Sequence, residues 1–311
     1  MRLYRNGYLQ PFLPNEYLGP DAGYVHPVRY ISWWGPSSLN YGGNVEVIPP
    51  HTHNDQEYPF GRIVIGGPED PLTSSGLMDD QQLDFFNAQE VQAPVLVVPS
   101  DWLYVGHIDE IFLVVPNPNA DPDEDERPWS IVIASPSLAI EALEEASESG
   151  YGDAKVFEGR GYRYFGGDYE TTVDDLLLDS DLMDFNDAVQ GIIDTVYEKL
   201  KTEIGLADED FREIPVLYED LSGWATALSP GMQNLVVADS VLFVPDPEGP
   251  HVNDVDVWQQ DTRDALKDLG LAINFVDVFY SYHVLFGEAH CGTNVERQGV
   301  TETPWWTVSE P

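Results

Sequence analysis

Short β-branched apolar runs alternate with amphipathic helical stretches along most of this chain, and that alternation limits what it can fold into. Residues 61–66 (GRIVIG), 91–98 (VQAPVLVV), 110–115 (EIFLVV) and 129–135 (WSIVIAS) read as strands. Residues 79–89 read as a helix with Leu83, Phe85 and Phe86 on its apolar side. Ser135 or Ser137 caps a helix running to about 148, with Leu138, Ile140 and Leu143 as its buried face. A long helical region spans 172–204, where Ala188, Ile192, Ile193, Val196, Leu200 and Ile204 fall at helical spacing and Gly205 closes the end. The last third repeats the theme: strands at 234–238 and 241–245, a helix at 255–269 stopped by Gly270, and a strand at 272–279. A strand–strand–helix–strand unit recurs, and no Gly/Ser-rich linker interrupts it. The expectation is an α/β fold in one domain over residues 1–311.

Charge decides what such a fold can meet. With 14 Lys+Arg against 55 Asp+Glu, the formal charge is −41. Phosphate backbones and anionic membranes repel a chain this acidic, so neither a nucleic acid nor a membrane is an expected partner. No stretch reaches the ~18 to 20 uninterrupted apolar residues of a membrane span, and the N-terminus lacks the apolar core of a secretory signal. The acids are spread through every segment, and Lys155, Lys199, Lys201 and Lys267 are the only lysines. That distribution suits a polyanionic surface at very high salt, where charge repulsion is screened. The expected setting is a halophile's cytoplasm. A cation-binding protein and a protein with a basic partner are the alternatives. The acidic run at 117–126 reads as a solvated loop, since its spacing fits no EF-hand. HTHND at 51–55 reads as an exposed loop rather than a metal clip.

Two places can do chemistry. Cys291, the only cysteine, lies in FGEAHCGTNVERQ, with polar neighbours and a glycine after it. His290 and Glu288 could tune its thiol. On local residues alone it reads equally as a nucleophile or as packing. In DWLYVGHIDEIFLVV, His107 and Asp109 precede an apolar run. If the strand begins there, their side chains share one face, two residues apart. The pair reads as an acid/base with a charge anchor, or as a hydrogen-bonded strand terminus. Taken together, a carboxylate for a guanidinium, a thiolate for its carbon and a histidine for the leaving nitrogen make an amidino-group hydrolase.

The chain resembles the catalytic region of the protein-arginine deiminases. The matching stretches are GPDAGYV (19–25), GNVEVIPP (43–50), EYPFGRI (57–63), NAQEVQAPV (87–95), SDWLYVGHIDE (100–110), IVIASPS (131–137), GEAHCGTNV (287–295) and PWW (304–306). They fall in the family's order and cover nearly the whole chain.

The resemblance implies a pentein: a five-bladed α/β propeller of ββαβ units around a central site. It implies conversion of peptidyl-arginine to peptidyl-citrulline and ammonia through a covalent thiouronium. Cys291 is then the nucleophile, His107 the acid/base and Asp109 a guanidinium ligand. The animal enzymes need calcium. By the same match, Glu46 supplies a carboxylate, Gly42 and Val45 supply carbonyls, and Asn6 falls on a ligand of a second Ca2+ site. Asp21 matches a position that reaches toward a preceding domain and reads here as a turn residue.

Departures from the pattern carry expectations of their own. The family's Trp-Ile-Gln-Asp-Glu type segment, with a second guanidinium carboxylate, would lie ahead of Met1. The first unit is therefore expected to be incomplete. A later-assigned start, a partner chain or a homo-oligomer that completes the unit, or loss of activity would each account for this. Gly7 stands where the family grips the peptide backbone with an arginine, Arg5 keeps a neighbouring substrate-binding arginine, and Leu285 replaces another. The expected substrate is an arginine-containing protein or peptide. Free arginine, agmatine or an inactive pentein binding module are the rivals.

Overall fold

The computed structural model describes residues 38–68, 78–88, 90, 92–121, 127–161 and 168–293, and the backbone of two strands, Arg2–Arg5 and Ala22–Val25, which pair in parallel. Asn6, Gly7, Asp21 and the side chain of Arg5 lie outside the described residues.

Among the described residues the recurring unit is seen three times. Val45–Ile48, Arg62–Gly67 and Leu96–Pro99 form the first sheet; Phe112–Pro116, Trp129–Ser135 and Phe211–Pro215 the second; Val236–Ala238, Val241–Pro245 and Ala272–Val276 the third. In each, the first two strands are antiparallel, while the second and third are parallel. Parallel neighbours need a crossover, and helices fill it. Asp80–Asn87 crosses the first unit and Val257–Leu266 the third. The second unit is enlarged by Pro136–Ala146, Val173–Leu178 and Ser180–Leu200. The chain is thus an α/β protein of ββαβ units, as the alternation of runs predicts.

Local chemistry sets the boundaries. Asp79, Ser135, Thr172, Asp179 and Asp256 each accept a backbone N–H in the first turn of the helix that follows. Such caps contribute about 0.5–2 kcal/mol each. The predicted long helix over 172–204 is two helices, because Asp179 leaves helical geometry (ψ 89°) to cap the second. Gly205 ends the region at φ +76° and Gly270 ends the Lys267–Leu269 turn at φ +71°, as expected of left-handed closing residues. The strand predicted at 91–98 begins at Leu96, since Pro94 withholds a backbone donor. HTHND is a hairpin, not an exposed loop: Asn54 and Asp55 have positive φ at its turn, and His51 is buried against Tyr58 with ring centroids 4.8 Å apart.

Packing sorts the apolar faces. The strand Trp129–Ser135 is buried along all seven residues. Ser180–Leu200 lays Val189, Ile193, Val196 and Leu200 into the core built on that sheet. The same helix carries Asn186, whose amide donates to the Leu182 and Tyr218 carbonyls and accepts from Tyr218 N–H. That buried amide ties the helix to the hairpin Tyr218–Leu221/Trp224–Ala227. Among the described residues, no helix is long and apolar enough to cross a membrane.

Candidate active site

Each unit brings polar residues to the point where its first strand begins, and these points converge. Gly43 and Asn44 precede Val45–Ile48, His107 and Asp109 precede Phe112–Pro116, and Gln233 and Asn234 precede Val236–Ala238. Cys291 arrives on the loop that follows the last strand of the third unit.

A strand that began at His107 would put His107 and Asp109 on one face. They lie instead in a tight turn, Ile108–Glu110, with His107 at its N-terminal cap. The turn is closed by the Glu110 carboxylate, which accepts His107 N–H at 2.8 Å. The two side chains still meet, through turn geometry rather than strand alternation. His107 Nδ1 is 4.0 Å from Asp109 Oδ1. Its Nε2 sits 3.0 Å from the Ser38 carbonyl, which can only accept, so Nε2 carries the hydrogen and Nδ1 is the basic atom.

Asp109 is the hub. Its side chain is 1% exposed. Oδ2 accepts from His290 Nδ1 at 2.9 Å and faces the Cys291 thiol at 3.5 Å. Oδ1 is buried with no hydrogen-bond partner, a costly state for a carboxylate oxygen unless something is meant to occupy it. Asn234 ties Cys291 to Asp109: Nδ2 donates to Cys291 Sγ at 3.2 Å and to the Asp109 carbonyl at 3.0 Å, and Oδ1 accepts from Cys291 N–H at 3.1 Å.

Behind these residues lies a close backbone approach. A Cβ on Gly43 would stand 2.6 Å from His107 Nδ1 and 2.7 Å from Asp109 Oδ2, so only glycine fits there. Phe286 holds a left-handed backbone (φ 64°) just ahead of the cysteine loop, the kind of local strain that collects at functional sites.

The electrostatics oppose a resting thiolate. Cys291 is exposed as a residue, but its sulfur faces the protein. Burial of the thiol and then the Asp109 charge push its pKa well above the ordinary value. Burial also raises Glu110 to about 8, against its own hydrogen bonds from backbone N–H groups. His283 and Glu288, both buried, form a pair at 2.6 Å. His283 therefore has a charged or hydrogen-bonded partner beyond simple packing.

Cys291, His107 and Asp109 are brought together as expected. Asn234, Gly43 and Glu110 were not singled out in the sequence. The signal for them was the short polar stretch that opens each unit. The calcium residues are less concentrated. Glu46 is buried, with one oxygen accepting Val47 N–H at 2.7 Å, and the Gly42 carbonyl accepts Val45 N–H. Oxygen donors of this kind suit a hard cation, but among the described residues no three acids, histidines or cysteines cluster as a metal site.

A family model described as protein-arginine deiminase matches residues 1–307. Mouse protein-arginine deiminase type-1 is 39% identical over 302 residues, covering 97% of this chain and 43% of that protein. Human type-3 is 38% identical over 307 residues, covering 98% and 44%, and human type-4 is 37% identical over 306 residues with the same coverage. The chain thus spans less than half the length of these relatives. The solved C. jejuni agmatine deiminase is 15% identical with a TM-score of 0.36, covering 80% of this chain and 53% of that one, a likeness too slight to carry an argument.

Proposed function

This chain belongs to the protein-arginine deiminase family, and from that premise we propose that it hydrolyses arginine side chains in a protein or peptide to citrulline and ammonia. The observation that carries the reading is the buried Asp109 carboxylate, whose Oδ2 faces the Cys291 thiol at 3.5 Å while its Oδ1 has no hydrogen-bond partner. A guanidinium N–H supplies the missing donor as a charge-assisted bond, worth ~1.5–3 kcal/mol.

The chemistry follows from the pKa of the thiol. A guanidinium on Asp109 offsets the carboxylate that opposes ionisation, and the thiol proton passes to His107 Nδ1. The sulfur attacks the guanidinium carbon to give a neutral tetrahedral adduct. His107 returns its proton to one nitrogen, which leaves as ammonia, and a cationic thiouronium remains on Cys291. Water attacks that carbon while His107 takes its proton. Collapse expels the thiolate and leaves the ureido product. His107 thus acts as base toward the thiol, as acid toward the leaving nitrogen and again as base toward water. Asn234 holds Sγ in line throughout.

The three ββαβ units belong, in this reading, to a five-unit propeller around the site. Calcium is part of the proposal too. Glu46, with the Gly42 and Val45 carbonyls, would hold it, and its contribution would be to fix the 42–46 turn that presses Gly43 against His107 and Asp109. Asn6 would serve a second calcium, Arg5 would contact substrate, and the enzyme would work in a high-salt cytoplasm. A calcium-dependent rise in thermal midpoint, absent in Glu46→Gln, is expected; equal rises in both proteins would remove Glu46 from the site.

Ammonia release in high salt with calcium tests the activity. A blocked arginine peptide is expected to be turned over faster than free arginine or agmatine. Faster turnover of the small guanidines would shift the reading to a small-molecule deiminase, and no release from any of them would refute it.

A further inference from the structure

Beside Cys291 lies a small cavity of about 20 Å³, room for about one water-sized molecule. It is lined by Cys291, Asn234, Glu110, Gln233, Glu288 and Thr226, among others. Two of its side chains have unfilled valences, and both are acceptors: Gln233 Oε1 and Glu288 Oε2 are buried without a hydrogen-bond partner. Gln233 is 1% and Glu288 7% exposed. They flank the same residue. Gly231 N–H points at the other Glu288 oxygen at 3.3 Å, and a Cβ on Gly231 would stand 3.1 Å from Gln233 Oε1.

The remaining valences of both side chains are fixed elsewhere. Gln233 Nε2 donates to the Glu110 carbonyl at 2.5 Å, and Glu288 Oε1 is held by His283 at 2.6 Å. The Asn234 amide is used by Cys291 and Asp109. What the cavity lacks is a compact donor of several hydrogens, and a positive one would offset the burial that disfavours the Glu288 charge. A buried carboxylate oxygen and a buried amide oxygen left bare cost free energy that such a donor would return.

We propose that this cavity is a binding site for ammonium, held between Glu288 Oε2 and Gln233 Oε1 behind the nucleophile. The deiminase reading supplies the origin of that ammonium, the ammonia released at Cys291 with one proton taken up from solvent water, but the site itself stands on the cavity and its two bare acceptors. Water has two hydrogens to offer and no charge, and sodium holds its hydration shell too tightly for a space of one atom. Ammonium brings four donors and a charge.

The test is direct observation of bound ammonium by proton–nitrogen NMR, with labelled ammonium chloride at constant ionic strength. The expected result is a slowly exchanging ammonium resonance, one per chain, distinct from bulk. It is lost in Glu288→Gln and in Gln233→Leu, each checked for fold by circular dichroism, and kept in Cys291→Ala. The loss in either folded variant is sufficient. A wild-type protein showing only bulk ammonium would overturn the proposal and leave water as the occupant. So would displacement by sodium as effective as by unlabelled ammonium. A chain that binds ammonium yet releases none from any guanidine would keep the site and refute the deiminase reading.

Discussion

Replacing Asp109 by asparagine separates its two jobs, because they respond with opposite sign. The carboxylate lies 3.5 Å from Cys291 Sγ. Two unit charges at that distance interact by roughly 5 kcal/mol at an effective dielectric of 20. At 1.36 kcal/mol per unit, that corresponds to about three pH units on the thiol. Asparagine retains a dipole, so the expected fall in the Cys291 pKa is about one to three units. Burial is the larger cause of the raised value and persists in the variant, so the thiol stays above its ordinary pKa. The same change removes the charge-assisted bond to substrate, costing ~1.5–3 kcal/mol, or about 10- to 150-fold in kcat/KM. The assay is the pH profile of iodoacetamide alkylation beside the deimination rate. The thiol should react at lower pH while turnover falls. An unchanged or upward-shifted alkylation profile would refute the electrostatic reasoning.

Other outcomes follow from the same geometry. Glu110 titrates at about 8 when folded, above its ordinary range, so its contribution to stability is full at low pH and is lost as pH rises through about 8. Glu110→Gln should therefore remove up to about 1.4 kcal/mol per pH unit of slope from the urea unfolding free energy between about pH 5 and 8; an unchanged slope would count against it. Gly43→Ala forces a Cβ to 2.6 Å from His107 Nδ1 and should lower kcat by about tenfold or more with little change in thermal midpoint; near-normal kcat would contradict the close approach. Asn186→Leu leaves Tyr218 N–H without its acceptor and should destabilise the chain by about 2–4 kcal/mol in denaturant titration; a loss under about 0.5 kcal/mol would show that the amide is dispensable.

Much of this was legible because two periodicities dominate the chain. Runs such as WSIVIAS can only be buried strands, and the helical spacing of Val196 and Leu200 leaves little choice. The ββαβ repeat followed from their order. Boundaries were harder, since Asp179 can continue a helix or cap the next, and only the packed helices decide. The site divided in the same way. Cys291, His107 and Asp109 stand in distinctive local sequence, and their resemblance to the family named their roles. Asn234 and Gly43 act through contacts far apart in sequence. Asn234 bonds across 57 positions to Cys291 and 125 to Asp109, and one chain's local pattern does not record such a contact. Strand alternation aligns His107 and Asp109 only if the strand begins at His107. A three-residue turn does the work instead, because Glu110 caps the His107 N–H.

The central claim is a covalent bond between Cys291 and the guanidinium carbon. It is tested most directly by acid-quenching the chain during turnover of a blocked arginine peptide and weighing the fragment that carries Cys291. The account predicts that this fragment gains the mass of the substrate less one ammonia. It also predicts that the adduct is absent in Cys291→Ala and forms far more slowly in His107→Gln, where the thiol proton has no acceptor and the leaving nitrogen no donor. Ammonia release with no adduct on Cys291, or release that survives Cys291→Ala, would contradict it.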